Sequence, residues 1–198
     1  MNRLIDRGAI FAGSVGLGVA LVVAIAFELI VAVQSLVFIV APLAGLLVGA
    51  YANTRSERRR PWRRVVANAV WAGLVTGLSL ALMYGSLRLL FVYADSGYRD
   101  PGQGGQLDCQ TGPDCTYKRQ LGAGNGAELA AAGVHDAASF EAAVLREQLG
   151  GGLLLIVATL GGAVVGGIYK GVARPPRSEP SGTHRTSIRA PIEDPPGP

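Results

Sequence analysis

The sequence predicts an all-α integral membrane protein with four transmembrane helices. Of its 198 residues, 49% are hydrophobic and only 16% are charged, whereas a soluble domain usually carries about 25% charged residues. The hydrophobic residues fall in long blocks that contain almost no charge, and about 20 apolar residues suffice for a helix that crosses a bilayer. Two cysteines are too few for a disulfide scaffold, and the apolar blocks exclude a disordered chain.

The first apolar block predicts two spans. It runs from Gly8 to Ala52, and Glu28 is its one ionisable residue. One straight helix of this length would be about 68 Å long, but the hydrocarbon core is only about 30 Å thick. We therefore expect a cytoplasmic N-terminus over 1–8 and a transmembrane hairpin over 9–53. The hairpin turns between Glu28 and Ser35, so span one lies near 9–29 and span two near 34–53.

Two further blocks predict the third and fourth spans. Span three is expected over 65–93, with Arg88 as its one charge, and span four over 149–171, with no charge before Lys170. Between them, residues 94–148 form a long loop, and residues 137–148 have a helical pattern that leads towards span four. An arginine-rich loop occupies 54–64, and the proline-rich tail over 172–198 is expected to be disordered.

The distribution of charge predicts the orientation. The N-terminus, the 54–64 loop, Lys170 at the end of span four and the tail together hold thirteen basic and five acidic residues, a net charge of +8. The 94–148 loop holds four basic and eight acidic residues, a net charge of −4. Because positive residues stay on the cytoplasmic side, both termini are expected in the cytoplasm. The loop between spans three and four is then extracytoplasmic, and the protein is a multi-pass protein of the cell membrane.

The arginine-rich loop predicts contact with lipid headgroups. Five arginines lie close to the ends of spans two and three, where they meet anionic headgroups and fix the topology, and Trp62 among them is typical of an aromatic anchor at the interface. These arginines are Arg58, Arg59, Arg60, Arg63 and Arg64. A docking site for an acidic partner is the alternative. Because the basic residues lie at span ends, nucleic acid is not an expected partner.

Both cysteines lie in the predicted extracytoplasmic loop, which predicts a disulfide between Cys109 and Cys115. That compartment is oxidising, and Gly112 and Pro113 allow the chain to reverse between the two residues. A metal site is not expected, because His135 is the only nearby further ligand and a fourth is missing. A redox-active pair usually has two intervening residues, and here there are five.

Rows of small residues predict close helix packing. Span two places Ala41, Gly45 and Gly49 at intervals of four, and span four places small residues in the same way at Ala158, Gly162 and Gly166. Small residues at this spacing let helix backbones approach closely. Residues 41–49 and 158–166 are identical at five of nine aligned positions. Two tandem copies of a helical hairpin are therefore one hypothesis, and chance similarity between membrane helices is the other.

Two charged residues lie within the apolar blocks, Glu28 and Arg88. Charge inside a membrane is a functional hypothesis by default. Both residues, however, come about 20 positions after their span enters the membrane, so both are expected near the outer interface. Their opposite signs predict an interfacial ion pair. An ion or proton path through Glu28 is the alternative.

No constellation of catalytic residues is visible in the sequence. His135 and His184 are predicted on opposite sides of the membrane, and metalloprotease, serine hydrolase and P-loop motifs are missing. We therefore expect no enzyme activity, no cofactor and no metal. The sequence favours a structural or accessory subunit that packs against itself or a partner complex within membrane lipid. A small transporter or channel built from a duplicated hairpin is the alternative.

Overall fold

The computed structural model describes residues 5–28, 35–55, 61–94, 109 and 111–172, and within these ranges all regular structure is α-helical. Six helices follow one another in the order α1 (Arg7–Glu28), α2 (Leu36–Arg55), α3 (Trp62–Tyr93), α4 (Pro113–Gly122), α5 (Gly126–Ala131) and α6 (Ala137–Val172). The arginines at 58–60, the turn at 29–34 and the tail from 173 lie outside the described residues.

Four of these helices, α1, α2, α3 and α6, are long and apolar enough to cross a membrane. Their 20 to 36 residues correspond to lengths of about 30–54 Å, which match or exceed the hydrocarbon core. The protein is therefore a small all-α integral membrane protein with four spans, and this sequence prediction is confirmed.

Successive spans run in opposite directions. Phe11 of α1 contacts Tyr51 of α2, and Asn53 of α2 donates a hydrogen bond to the carbonyl of Val65 in α3. Helices α2 and α6 consequently run parallel to each other. One end of the bundle, termed here the arginine end, holds Arg55, Trp62 and Val172. The opposite end carries α4 and α5 and is termed the capped end.

Helix α6 begins twelve residues earlier than the start expected for span four. Its first turn is closed by a reciprocal cap, in which the Asp136 carboxylate accepts the Ser139 N–H at 2.7 Å and the Ser139 hydroxyl oxygen accepts the Asp136 N–H at 3.0 Å. Such a capping box satisfies donors that a helix start leaves unpaired. The glycines at 150–152 do not interrupt the helix. Gly151 lies against the ring of Tyr84 in α3, where a Cβ would come within 2.9 Å of Cε1.

The core consists mainly of small side chains. Two clusters of buried residues lie at different heights: Ala20, Val37, Ala41, Leu80, Tyr84 and Leu155 form one, and Ala9, Ala12, Val48, Ala52 and Ala72 form the other. Leu80 and Leu155 are the largest side chains that are fully buried. Because so few core residues are large, the helix backbones approach one another closely, and this feature positions the candidate site.

Candidate functional site: the glycine contact between α2 and α6 and the two ends of the bundle

The closest helix contact in the described bundle is the one between α2 and α6. A Cβ at Gly45 would overlap the carbonyl oxygen of Thr159, and one at Gly49 would overlap that of Ala163. In the other direction, a Cβ at Gly162 would overlap the carbonyl oxygen of Pro42, and one at Gly166 that of Leu46. Only glycine fits at these four positions, because each faces backbone that cannot move aside.

These four contacts are reciprocal. When residues 41–49 are aligned with 158–166, Gly45 corresponds to Gly162 and Pro42 corresponds to Thr159. Gly45 meets Thr159 of α6, and Gly162 meets Pro42 of α2, so the two contacts are equivalent. The same equivalence holds for Gly49, which meets Ala163, and Gly166, which meets Leu46. The contact therefore has a local two-fold axis along the bundle. The symmetry does not extend to the hairpins, because α3 packs on both α2 and α6, whereas α1 packs on α2 and α3 and has little contact with α6.

The geometry suits weak hydrogen bonds between backbones. A carbonyl oxygen that occupies the place of a glycine Cβ lies beside the Cα hydrogens, and Cα–H···O contacts of this kind contribute about 0.5–1 kcal/mol each. In a bilayer, close van der Waals packing and such contacts replace the hydrophobic effect as the force between helices. The remaining predicted members of the rows differ from each other: Ala41 is fully buried, and Ala158 is half-buried.

Helix α1 contributes a further packing face, on which the glycines are spaced less regularly than in the rows of α2 and α6. Among the α1 residues whose side chains are described, the buried ones are all alanine or glycine: Ala9, Ala12, Gly13, Gly16, Ala20 and Ala24. A Cβ at Gly16 would overlap the hydroxyl oxygen of Thr76 in α3 and come within 3.4 Å of Val48 in α2. The three-to-four-residue spacing of these alanines was the available signal.

Two threonines are buried at mid-height of the core. The Thr76 hydroxyl donates to the carbonyl of Ala72 in its own helix at 2.8 Å. The Thr159 hydroxyl is fully buried and has no hydrogen-bond partner among the described residues. An unpaired hydroxyl is costly in an apolar interior. Thr159 lies directly at the α2–α6 contact, because its backbone carbonyl meets Gly45.

At the arginine end, a polar cluster joins three helices. Asn68 of α3 donates to the carboxylate of Asp6 at 3.1 Å, and the Asp6 N–H donates to the Asn68 side-chain oxygen at 3.2 Å. Asn53 of α2 donates to the carbonyl of Val65 at 3.1 Å. A Cβ at Gly167 of α6 would come within 2.8 Å of the Asn53 side-chain nitrogen. Arg63 is exposed and Arg64 half-buried on the first turn of α3.

At the capped end, side chains of α3 pair with α6. Arg88 forms an ion pair with Glu147 at 3.4 Å, and the Tyr93 hydroxyl donates to the Glu141 carboxylate. Glu28 ends α1 at the same end of the bundle, but its side chain lies outside the described residues. The ion pair predicted between Glu28 and Arg88 therefore stays a prediction, and the partner that the structure gives Arg88 is Glu147.

Cys109 and Cys115 are joined by a disulfide, with their Cα atoms 5.5 Å apart. Cys115 lies on α4, where the Thr116 hydroxyl shares its proton between the Val92 carbonyl of α3 at 3.2 Å and the Gly112 carbonyl at the start of its own helix at 3.1 Å. The ring of Tyr117 packs on Phe140 of α6. The disulfide thus closes a short loop at the start of the helix that covers the capped end.

The clearest electrostatic effect outside the spans is at Asp136. The N–H and hydroxyl of Ser139 donate to its carboxylate and hold its pKa below the ordinary value. No group of three or more His, Cys, Asp or Glu side chains that could hold a metal ion occurs within the described ranges. The site is thus a packing interface with two polar ends.

Comparison with known proteins gives no relative. The chain matches no protein-family model, no curated protein and no solved structure. The function proposed below rests on the geometry of the bundle.

Proposed function

We propose that this protein is a non-enzymatic structural or accessory subunit of a membrane, which associates through its outer helix faces with a second copy or with a partner complex. The single observation that carries the proposal is the α2–α6 contact, in which the two backbones touch at Gly45, Gly49, Gly162 and Gly166. A contact of this kind fixes the helices instead of leaving a path between them.

The surroundings of the contact support the same conclusion. Mid-height positions of the described core are filled by Gly16, Thr76, Gly77, Leu80 and Leu155, all of them buried. Transport needs a polar, water-accessible line through the spans, and ionisable residues that line such paths face the bundle interior. In the part of the chain that the structure describes, Arg88 is the charged residue within an apolar span block. It lies near the capped end of α3, and it and its partner Glu147 are both partly exposed, so the pair does not line the interior of the bundle.

The glycine rows of α2 and α6 are used within the chain, so a partner would meet other surfaces. Glycines with open space over the Cα are found on the outside of three spans, at Gly18 of α1, Gly85 of α3 and Gly161 of α6. On the same helices, Leu17 of α1 and Leu154 of α6, the latter two turns before Gly161, are more than half exposed. Another helix could approach the bundle closely at such positions.

We place both termini and the arginine end in the cytoplasm, and the capped end with its disulfide outside the cell membrane. The proposal is supported by the +8 and −4 charges of the two sides. An extracytoplasmic position would also account for a persistent disulfide.

A small transporter is the second candidate, and two observations favour it. The local two-fold relation between α2 and α6 fits a duplicated element of the kind found in parallel-repeat transporters. The unpartnered Thr159 hydroxyl supplies one polar group at mid-height. Purified protein in sealed vesicles should then pass an ion or proton flux that Thr159→Val abolishes.

The accessory role is tested by photo-crosslinking in native membranes. A photoreactive phenylalanine analogue at Leu17 or Leu154, both exposed, should give a discrete protein adduct, and mass spectrometry of the adduct distinguishes a second copy from another protein. The same analogue at Val15 and Val157, which are also exposed, maps the width of the contacted face. Adducts with lipid alone at all four positions would contradict the proposal.

A further inference from the structure

We propose that Trp62, Arg63, Arg64 and Lys170 form a discrete binding site for the phosphate of one anionic phospholipid. The site lies at the arginine end, between the first turn of α3 and the last turn of α6. It rests on the membrane location of the spans and not on the accessory role proposed above, so either proposal can fail without the other.

Contact between the two helix ends places the four residues at the same end of the bundle, on two touching helix turns. A Cβ at Gly171 would lie 3.4 Å from the ring of Trp62 and 3.1 Å from the side chain of Val65. The missing side chain of Gly171 therefore lets the end of α6 rest on the first turn of α3. Lys170 precedes Gly171 in the last turn of α6, so its backbone lies at the same level as the first turn of α3, and its long side chain, like those of Arg63 and Arg64, can reach a phosphate at this level.

The three cations are available for an external anion. Arg63 and Lys170 are exposed, and Arg64 is half-buried. Neither Arg63, Arg64 nor Lys170 takes part in the ion pairs of Arg88 with Glu147 and of Lys118 with Asp114. The one described carboxylate at this end, that of Asp6, is hydrogen-bonded to Asn68. Uncompensated positive charge at the level of a span end is complementary to a phosphate in the headgroup layer.

Aromatic side chains set the depth of the site. Trp62 is 51% exposed and Tyr169 is 68% exposed, and they lie on the two helix ends that carry the cations. Tryptophan and tyrosine are enriched where the hydrocarbon meets the headgroups. An arginine can grip a phosphate with two parallel N–H donors, while lysine acts as a point charge. This combination of apolar rings with cations favours a phospholipid over a soluble acidic partner.

The site extends the sequence prediction in a specific way. The predicted lipid contact was a general property of five arginines and Trp62 in one loop, whereas the proposed site adds Lys170 from α6, which is distant in the chain. Selectivity for an anionic headgroup should therefore depend on both α3 and α6. Each basic residue at an anionic surface strengthens binding by roughly fivefold.

The test is native mass spectrometry of the full chain in detergent with an equimolar mixture of phosphatidylglycerol and phosphatidylcholine that have the same acyl chains. Wild-type protein should retain one phosphatidylglycerol at least about tenfold more often than phosphatidylcholine. The triple variant Arg63→Gln/Arg64→Gln/Lys170→Gln should retain the two lipids equally. Arg146→Gln is the matched control, because Arg146 is an exposed cation on α6 near the capped end, and it should behave as wild type.

Equal retention of both lipids by wild-type protein, as expected if the cations serve an acidic protein instead, would overturn the proposal. The proposal would also be overturned if the triple variant still retained phosphatidylglycerol in preference to phosphatidylcholine. Glycerol phosphate that displaces phosphatidylglycerol at equal concentration would identify a soluble phosphate as the ligand and overturn the lipid assignment.

A second measurement covers the case in which the triple variant does not fold. The chain has two tryptophans, so a Trp71→Phe variant leaves Trp62 as the only emitter. Brominated phosphatidylglycerol should quench its fluorescence more strongly than brominated phosphatidylcholine at the same mole fraction. Equal quenching by the two lipids would count against the site.

Discussion

At the scale of single residues, the absence of four side chains shapes the bundle. Gly45, Gly49, Gly162 and Gly166 each face a carbonyl oxygen of the opposite helix, so a methyl group at any of them forces two backbones apart. The sequence spacing predicts such a face because small residues recur every four positions. It does not predict which helix covers the face, because backbone carbonyls carry no sequence signal.

Alanine was harder to interpret than glycine. The buried face of α1 includes Ala9, Ala12, Ala20 and Ala24, but alanine is also common on surfaces that face lipid, and its spacing alone does not distinguish the two. The partner of Arg88 was also beyond sequence reasoning. Glu147 lies in the segment with a predicted helical pattern, but the sequence does not show that this helix continues into span four, and this continuity brings Glu147 beside α3.

The reciprocal cap at Asp136 predicts a pH dependence at the start of α6. Hydrogen bonds from Ser139 hold the pKa of Asp136 below its ordinary value. The stabilisation is therefore complete above the ordinary pKa of an unfolded aspartate and is lost as the pH falls through the lowered, folded value. Amide exchange at residues 139–141 should accelerate over that acidic range.

Asp136→Asn provides the control. Asparagine caps helices as well as aspartate does but has no carboxylate to titrate, so its exchange rates should show no such acid-dependent rise. If wild-type protein and Asp136→Asn respond to acid in the same way, the capping carboxylate is not the cause.

At the scale of elements, α6 is the helix that links the membrane bundle to the cap. It packs on α2, α3 and α4, and its 36 residues reach about 54 Å, so it extends well beyond the hydrocarbon core at the capped end. The sequence predicts helical character on both sides of the glycines at 150–152. It does not show that the helix is continuous, because the close approach of Gly151 to Tyr84 and of Gly152 to Ala81 of α3 depends on tertiary packing.

The disulfide should stabilise α4 locally and leave the spans unaffected. Closing a loop of this size constrains the unfolded segment by about 2 kcal/mol, and the contacts of α4 with the spans include those of Thr116 with α3 and of Tyr117 with α6. In Cys109→Ala/Cys115→Ala, amide exchange across 113–122 should therefore rise by one to two orders of magnitude, while exchange in α2 stays constant.

Thr116→Val separates the two attachments of α4. It removes the hydrogen bond to the Val92 carbonyl but keeps the disulfide, so exchange in α4 should rise less than in the double alanine variant. If amide exchange in Cys109→Ala/Cys115→Ala rises equally in α2 and α4, the disulfide supports the whole bundle instead of the cap.

At the scale of the whole molecule, the four spans were predictable and their arrangement was not. Long apolar blocks indicate membrane helices because the bilayer demands about 20 apolar residues per crossing. The order of neighbours, with α1 beside α2 and α3 but largely separated from α6, depends on the fit of helix surfaces. The contact between α2 and α6 is locally symmetric, but α1 and α3 are not arranged symmetrically around it. An alignment of nine residues cannot predict this combination.

The proposed orientation predicts opposite accessibility of the two ends. In a Cys109→Ala/Cys115→Ala background, single cysteines at Ser56 and at Ala127 can be labelled with a membrane-impermeant maleimide on intact cells. Ala127 is exposed on α5 and should react, whereas Ser56 in the arginine-rich loop should react only after the cells are permeabilised. Labelling of both on intact cells would contradict a four-span arrangement.

The most direct test of the central claim, that backbone contact between α2 and α6 holds this bundle together, compares two adjacent glycines. Gly162 faces the Pro42 carbonyl, whereas Gly161 faces open space. Alanine raises intrinsic helix stability by about 0.5–1 kcal/mol relative to glycine, so Gly161→Ala should leave the thermal unfolding midpoint in detergent unchanged or raise it. Gly162→Ala should instead destabilise by about 1–3 kcal/mol through overpacking, which lowers the midpoint by at least about 2 °C. Equal midpoints for the two variants would contradict the account, because a methyl group could then be added at the α2–α6 contact as easily as on the open surface.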